Sequence, residues 1–399
     1  MKFSEYRLSD ELKNNLAEIG FKRPTDIQYK CIPNIQKKED VLAIAQTGTG
    51  KTAAFAIPLI DRIQYIKSKT KGSAVRVLVM VPTRELAKQI TTVFNSLGKK
   101  TGVKTASIYG GVDQDYQINK LIKGVDIVVS TPGRMFDLAS QGHLELNKVE
   151  VLVLDEADRM LGMGFEKDIL DVIRKLPRNR QTLFFSATIG KEIKKQAYKM
   201  VRTNAIRIQI SPKDPVNRNI NHQLIYVEMD DKRFFLQRLI NENENLKFLV
   251  FVRTKVRAER VCKAMERVSI ESETLHGGKE QLEREATLNR FRKGENKVLI
   301  ATDVTARGID IPDVDYVVNY DLPEIAENYV HRVGRTGRGR KKGLAISFCS
   351  NDEKTMLEDI EEYMGKEITK AAVTKKEYNE TISWVEEEEN DWKGLMGLK

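Results

Sequence analysis

Short, continuous apolar runs recur along this chain, and the longer stretches between them return apolar residues every three or four positions. Runs such as Val77-Leu78-Val79-Met80 and Val151-Leu152-Val153-Leu154 show no polar alternation, which is the pattern of parallel strands buried on both faces. The first half predicts strands near 41–45, 75–81, 105–109, 126–131, 151–155, 182–186 and 205–210. A second series follows near 222–228, 247–252, 272–275, 298–302, 316–320 and 344–348. Strands alternating with helices imply α/β units with mostly parallel sheets. Between the series lies a polar stretch broken by Pro212 and Pro215, which reads as a linker over 211–219. The expected organisation is therefore 1–210, a linker, 220–365, and a C-terminal segment 366–399.

Chemistry gathers where two of these strands end. Ligands of open α/β sheets collect at strand carboxyl ends, and there Asp155-Glu156-Ala157-Asp158 follows the run 151–154. One carboxylate can hold a magnesium ion while the next positions or deprotonates an attacking water, as nucleoside triphosphate hydrolysis requires. A solvated acidic turn is the alternative for the string in isolation. Upstream, the run 41–45 leads into Gln46-Thr47-Gly48-Thr49-Gly50-Lys51-Thr52 and then into Ala53-Ala54-Phe55-Ala56, a strand, a glycine-rich turn and a helix start in the order a phosphate loop needs. Gly48 and Gly50 let backbone amides curl around phosphate oxygens, Lys51 is placed for the β- and γ-phosphates, and Thr52 offers a hydroxyl to magnesium. Ala45 stands where the general loop pattern begins with glycine, and a flexible surface turn is the alternative.

With these two motifs the chain resembles the DEAD-box family of ATP-dependent RNA helicases over roughly its first nine-tenths, and in that family alanine at the loop's first position is usual. Further matches come in family order: Gly20 to Gln28, Pro82 to Ala87, Gly110-Gly111, Thr131-Pro132-Gly133-Arg134 and Ser186-Ala187-Thr188 in the first half. The second half continues with Phe251-Val252-Arg253-Thr254, Gln281 to Arg284, Ala301 to Asp310 and His331 to Arg338. Departures are small: Thr305 stands where alanine is common, and Val333 and Ile309 replace other aliphatics. The resemblance implies two tandem RecA-like domains, with ATP and Mg2+ as cofactors and RNA as partner. It implies Phe21 stacking on adenine and Gln28 reading its edge, with Phe3 as the family's isolated upstream aromatic. Asp310 matches the ribose contact, Arg335 and Arg338 the pair of arginine fingers, and Ser186 and Thr188 the hydroxyls that couple ATP state to RNA. A plain anion-binding turn is the alternative for the two arginines, and strand-end capping for the two hydroxyls. For RNA the matching positions are Thr83, Arg84, Gly111, Thr131 and Arg134 in the first domain, then Arg253, Thr254, Gly277, Gln281, Arg284 and Thr302 in the second. Hydroxyls, glycine amides and arginines read backbone rather than base sequence, and contacts to ribose 2′-hydroxyls would select RNA over DNA.

Composition narrows the picture without changing it. The 399 residues are 41% hydrophobic, enough for two cores. Cys31, Cys262 and Cys349 form no C-x-x-C pair, and they read as reduced thiols in a cytoplasmic protein. No apolar run reaches the length of a membrane span. Net charge is +10, but residues 351–399 carry 14 Asp/Glu against 7 Lys, which leaves −7 there and +17 on the preceding 350 residues. The basic body suits a polyanion; segment 366–399 reads as a solvated acidic tail whose removal from 370 onward leaves activity intact.

The reading is of a monomeric RNA-dependent ATPase that clamps RNA and separates short duplexes, with ribonucleoprotein or RNA-processing partners. The motif set and the absence of a basic tail are similar to compact bacterial members of the RhlE-like kind. A DNA-directed helicase of the same superfamily and an ATP-gated RNA-binding scaffold without useful unwinding are the rivals.

Overall fold

Alternate residues of each strand in the first half face opposite sides of one sheet, because successive side chains on a strand point opposite ways. The computed structural model describes residues 1–45, 48–70, 72–187, 191–210, 219–303, 314–337 and 342–383. Its strands are β1 (Val41–Ile44), β2 (Val77–Met80), β3 (Thr105–Ile108), β4 (Ile127–Ser130), β5 (Val151–Leu154), β6 (Gln181–Ser186) and β7 (Ile206–Gln209) in the first half. They form a parallel sheet in the order β3-β4-β2-β5-β6-β1-β7. Val41, Val77, Val79, Val151 and Val153 pack on one face with the helices Asp26–Gln36, Lys51–Lys69 and Arg84–Leu97. Leu42, Leu78, Met80, Leu152 and Leu154 pack on the other, with the helices Pro132–Ser140 and Glu166–Lys175. Both faces are dry, which explains the unbroken apolar runs of the sequence.

The second half repeats the plan with β8 (Ile220–Tyr226), β9 (Phe248–Val252), β10 (Glu273–Leu275), β11 (Val298–Thr302), β12 (Tyr316–Asn319), β13 (Gly343–Cys349) and β14 (Thr369–Lys370). Their order is β10-β11-β9-β12-β13-β8-β14, which is the order of the first sheet position for position. Two tandem RecA-like α/β sheets are thus present, although no repeat is visible in the sequence. The chain divides into compact units at Met1–Ser211 and Pro212–Lys399. Among the described residues no helix is long and apolar enough to cross a membrane. All three cysteines are free, and burial pushes the Cys31 thiol up to about 12 and the Cys349 thiol to about 11, so both stay protonated and inert.

The C-terminal segment differs from the expected solvated tail. Strand β14 pairs with the edge of β8, in the place β7 takes beside β1, and the Ala371 amide donates to the Leu224 carbonyl at 2.8 Å. Residues 375–383 are helical and dock on the second unit. The Tyr378 hydroxyl donates to Asp231 Oδ2 at 2.7 Å and accepts the Glu228 amide at 3.1 Å, its ring lies 5.1 Å from that of Phe235, and Thr381 is buried beside Arg238. Net charge hid this docking, because few apolar residues carry it and the strand is two residues long. Truncation after residue 365 should therefore lower the stability of the second unit by ~2–4 kcal/mol, a melting shift of several degrees, since it strips buried side chains from a finished core.

Candidate nucleotide site and nucleic-acid rim

The end of β1 is tied to the neighbouring strand through its backbone. The Ala45 amide bonds the Ser186 carbonyl at 3.0 Å, and the chain then passes through Gly48 (φ +81°) and Gly50 (φ +93°) into the helix that begins at Lys51. A Cβ on Gly50 would sit 2.4 Å from Gln28 Nε2, so the position needs glycine for space as well as for φ. Gln28 is buried: its Oε1 accepts the Thr25 amide at 2.9 Å, and its Nε2 donates to the Gly50 carbonyl at 3.2 Å. The residue expected at the adenine edge is thus also a strut between the 25–28 turn and the phosphate loop. A carboxamide still retains one hydrogen and one lone pair for a base edge. Lys51 is buried, with Nζ turned back onto the Ala45 carbonyl at 2.7 Å. Thr49 and Thr52 flank it at the helix start, where free amides and the positive helix end favour an anion. Gln46 and Thr47 lie outside the described residues.

The acidic turn faces the same end of the sheet. Asp155 follows β5 and is 3% exposed; burial pushes its carboxyl up to about 6, Lys51 pulls it back, and Glu156 and Asp158 push it further up. Glu156 takes a left-handed backbone, φ +50° and ψ +45°, uncommon for a residue with a Cβ, and its side chain pairs with Arg159 at 3.2 Å. Asp158 accepts the Ala187 amide at 3.1 Å, which ties the acidic turn to the strand end that carries Ser186. A buried carboxyl that a single lysine leaves under-compensated, with a helix-start hydroxyl in the same loop cluster, suits a hard divalent cation shared with phosphate oxygens and water. Among the described residues there is no group of three His, Cys, Asp or Glu side chains placed to hold a metal.

The raised carboxyl has a sign that can be measured. An unfolded Asp ionises near 3.8, so between pH 3.8 and about 6 the folded state holds a proton that the unfolded state has lost. Stability therefore falls as pH rises through that window, and the loss is complete above it. Asp155→Asn mimics the protonated form. Without nucleotide it should be more stable than the wild type at pH 7.5 by on the order of 2–3 kcal/mol, with the gap closing by pH 4. An equal gap at both pH values would remove Asp155 as its cause.

At the adenine end Phe21 is half-buried, and its ring meets that of Phe3 edge-on at 5.8 Å. Phe3 is buried and stacks on Tyr6, so the upstream aromatic supports the Phe21 ring from behind.

The nucleic-acid candidates of the first unit follow β2, β3 and β4, the three strands on the far side of β5. Thr83 caps the helix Arg84–Leu97, accepting the Leu86 amide at 3.4 Å, and Thr131 precedes the helix Pro132–Ser140. The Arg84 guanidinium lies against Gly111, whose φ of +74° favours glycine. Arg134 donates from Nη2 to the Val112 carbonyl at 3.1 Å and keeps a buried Nη1 without a partner. Strand order thus sets nucleotide candidates on β1, β6 and β5 beside nucleic-acid candidates on β2, β4 and β3, all at carboxyl ends.

In the second unit Arg253 follows β9 and Thr254 caps the next helix, accepting the Arg257 amide at 3.1 Å. Gly277 lies beyond β10, where the Gly278 amide donates to His276 Nδ1 at 3.1 Å, so that Nε2 carries the proton given to Glu259 at 2.6 Å. Gln281 opens the helix Gln281–Lys293 and accepts from Arg284 at 3.2 Å; Thr302 is buried at the end of β11. Arg335 is buried just past the helix Ala326–Val333. Arg332, which sequence reasoning passed over, is 2% exposed and makes a two-pronged pair with Asp303 at 2.7 and 2.8 Å while donating to the Asp321 carbonyl at 2.7 Å. Only the fold brings 303 and 332 together. Arg159 was missed too, although its three-residue spacing from Glu156 at a helix start was a signal. Thr188, Asp310 and Arg338 lie outside the described residues.

Comparison with known proteins follows this division. Residues 25–196 match the DEAD/DEAH box helicase family, and residues 231–340 match the helicase conserved C-terminal domain. The chain is 38% identical over 368 residues to the ATP-dependent RNA helicase DbpA of Bacillus subtilis, covering 92% of this chain and 76% of that protein. It is 41% identical over 361 residues to the DEAD-box ATP-dependent RNA helicase CshA of Bacillus cereus, covering 90% and 67%. Among solved structures it is similar to S. cerevisiae Dbp5 bound to RNA and ADP BeF3, with a TM-score of 0.85 at 32% identity over 98% of this chain and 99% of that one.

Proposed function

This chain belongs to the DEAD-box family of ATP-dependent RNA helicases, RNA-dependent ATPases that use ATP with Mg2+, and we propose that it works as a clamp that pries apart short RNA duplexes. This reading is supported by the strand order of the first sheet, which sets the candidate nucleotide residues beside the candidate RNA residues, and by the bond from the Ala187 amide to Asp158 that joins the acidic turn to the end of β6.

In this mechanism Lys51 leaves the Ala45 carbonyl for the β- and γ-phosphates, a short swing for a long flexible stem. Thr52 and Asp155 would hold the magnesium ion, which would supply charge neutralisation on the phosphate oxygens. Glu156 positions and deprotonates the attacking water, and Arg159 holds it until then. Phe21 stacks on adenine; Gln28 gives its remaining hydrogen and lone pair to the base edge, so the base bears on the strut that fixes the loop. Asp310 takes the ribose. Arg335 and Arg338 reach the γ-phosphoryl group from the second unit when ATP and RNA draw the units together, and they stabilise its equatorial charge.

RNA lies across Thr83, Arg84, Gly111, Thr131 and Arg134, then Arg253, Thr254, Gly277, Gln281, Arg284 and Thr302, contacted through phosphate and ribose. A strand held by rigid rims on two units cannot keep duplex geometry as they close, and the strain separates a few base pairs. Ser186 and Thr188 pass nucleotide state to that rim. The test compares ATPase stimulation by RNA with stimulation by DNA of the same sequence, together with release of a labelled strand from short and long duplexes. We expect RNA alone to stimulate, and release to collapse as the duplex lengthens. Equal stimulation by DNA would favour a DNA-directed helicase, and turnover without strand release would favour a scaffold.

A further inference from the structure

Because the two sheets share one strand order, each element at the rim of the first unit has a positional counterpart in the second. The helix after β1 begins at Lys51, and the helix after β8 begins at Lys232. No glycine lies in the intervening Val227-Glu228-Met229-Asp230-Asp231, so no phosphate loop forms there. Lys232 is nonetheless fully buried, and its Nζ donates to the carbonyls of Tyr320 at 2.8 Å and Phe348 at 3.3 Å, just beyond β12 and near the end of β13. Its anion is Glu353, 1% exposed, in the turn Asn351–Glu353. The carboxylate collects donors on both oxygens. Oε2 accepts from Lys232, from the Ser350 amide at 3.1 Å and from the Ser350 hydroxyl at 3.2 Å; Oε1 accepts from the Leu322 amide at 3.0 Å and from Arg253 Nη2 at 2.9 Å. A lysine at a helix start, backbone amides, a hydroxyl and an arginine are the company a phosphate group keeps.

We infer that Glu353 is an internal anion in the second unit's counterpart of the phosphate position, and that it is a positioning residue that aims Arg253 at the RNA backbone. This rests on the reading of Arg253 as an RNA contact. Lys232 shares the Glu353 charge with Arg253, whose Nε also lies 3.9 Å from the exposed Glu324 carboxylate, a loose contact that a phosphate can displace. Glu353 grips one edge of the guanidinium, Asp321 Oδ2 accepts the Arg253 amide at 3.0 Å, and the side chain stays 31% exposed at the rim. An arginine fixed in this way gives up less rotamer freedom on meeting a phosphate than one swinging in water.

The test measures the RNA concentration that half-saturates ATPase stimulation, alongside kcat and KM for ATP, in full-length Glu353→Gln, Arg253→Ala and the double variant. Glu353→Gln should raise the RNA requirement roughly tenfold, the scale of one charge-assisted hydrogen bond, with kcat and the ATP KM unchanged. Arg253→Ala should raise it at least as much, and the double variant should match Arg253→Ala alone. Because Glu353→Gln strands the Lys232 charge, Lys232→Met with Glu353→Gln removes both charges, and it should melt near the wild type while keeping the raised RNA requirement. If Arg253→Ala raises the requirement and neither Glu353 variant does, or if the effects multiply in the double variant, the inference falls and the RNA reading stands. If Arg253→Ala itself changes nothing, the RNA role of Arg253 falls and takes the inference with it.

Discussion

Arg335→Ala should lower the RNA-stimulated rate of ATP hydrolysis by roughly three to five orders of magnitude, the range that arginine fingers contribute in phosphoryl transfer, while ATP binding without RNA stays near the wild type. The asymmetry arises because the guanidinium acts on charge that develops in the transition state. It does nothing for a nucleotide bound to the first unit alone. The second unit presents Arg335 from a rigid base: its amide bonds the Arg332 carbonyl at 3.1 Å, and Arg332 is locked to Asp303 and to the Asp321 carbonyl. Steady-state ATPase at saturating RNA, beside equilibrium nucleotide binding without RNA, measures the split. Proportional loss of both would mean a folding defect, and loss of neither would mean that the second unit does not complete the active site.

Lys51→Ala should bring nucleotide-dependent activity to background. No other described residue of the loop offers a cation, and Lys51 is the one lysine that lowers the charge cost of Asp155. Its removal takes away the proposed contact to the β- and γ-phosphates and the positive charge that holds the Asp155 carboxyl down, so that carboxyl should rise further and hold its proton at higher pH. A variant that keeps ATP turnover would refute the phosphate-loop assignment. A variant that loses turnover but keeps ATP affinity would put the role of Lys51 in the transition state.

The rim residues that RNA is proposed to touch were legible as letters before they were legible as a surface. Thr83, Arg84, Gly111, Thr131 and Arg134 stand in the sequence at intervals that reveal no contact, yet the fold lays the Arg84 guanidinium against Gly111. Gln28 could be read as a base-edge group, but not as a strut under Gly50, since the link spans 22 residues and depends on how one helix packs on another. The C-terminal segment misled most. Charge counting missed Tyr378 and Thr381, whose partners lie about 150 residues upstream.

Local order by itself determined the α/β class, the strand positions to within a residue or two, and the glycine-rich turn that leads from β1 into the next helix. Each depends on period, on a glycine at a turn, or on neighbours along the chain, which are short-range physics. The tertiary structure alone decided the shared strand order, the gathering of the candidate residues at one end of each sheet, and the burial of Lys232 against Glu353. Those depend on which strands pair and which charges are removed from water together, and residues 232 and 353 acquire a common meaning only when β8, β12 and β13 bring them to one end of the sheet.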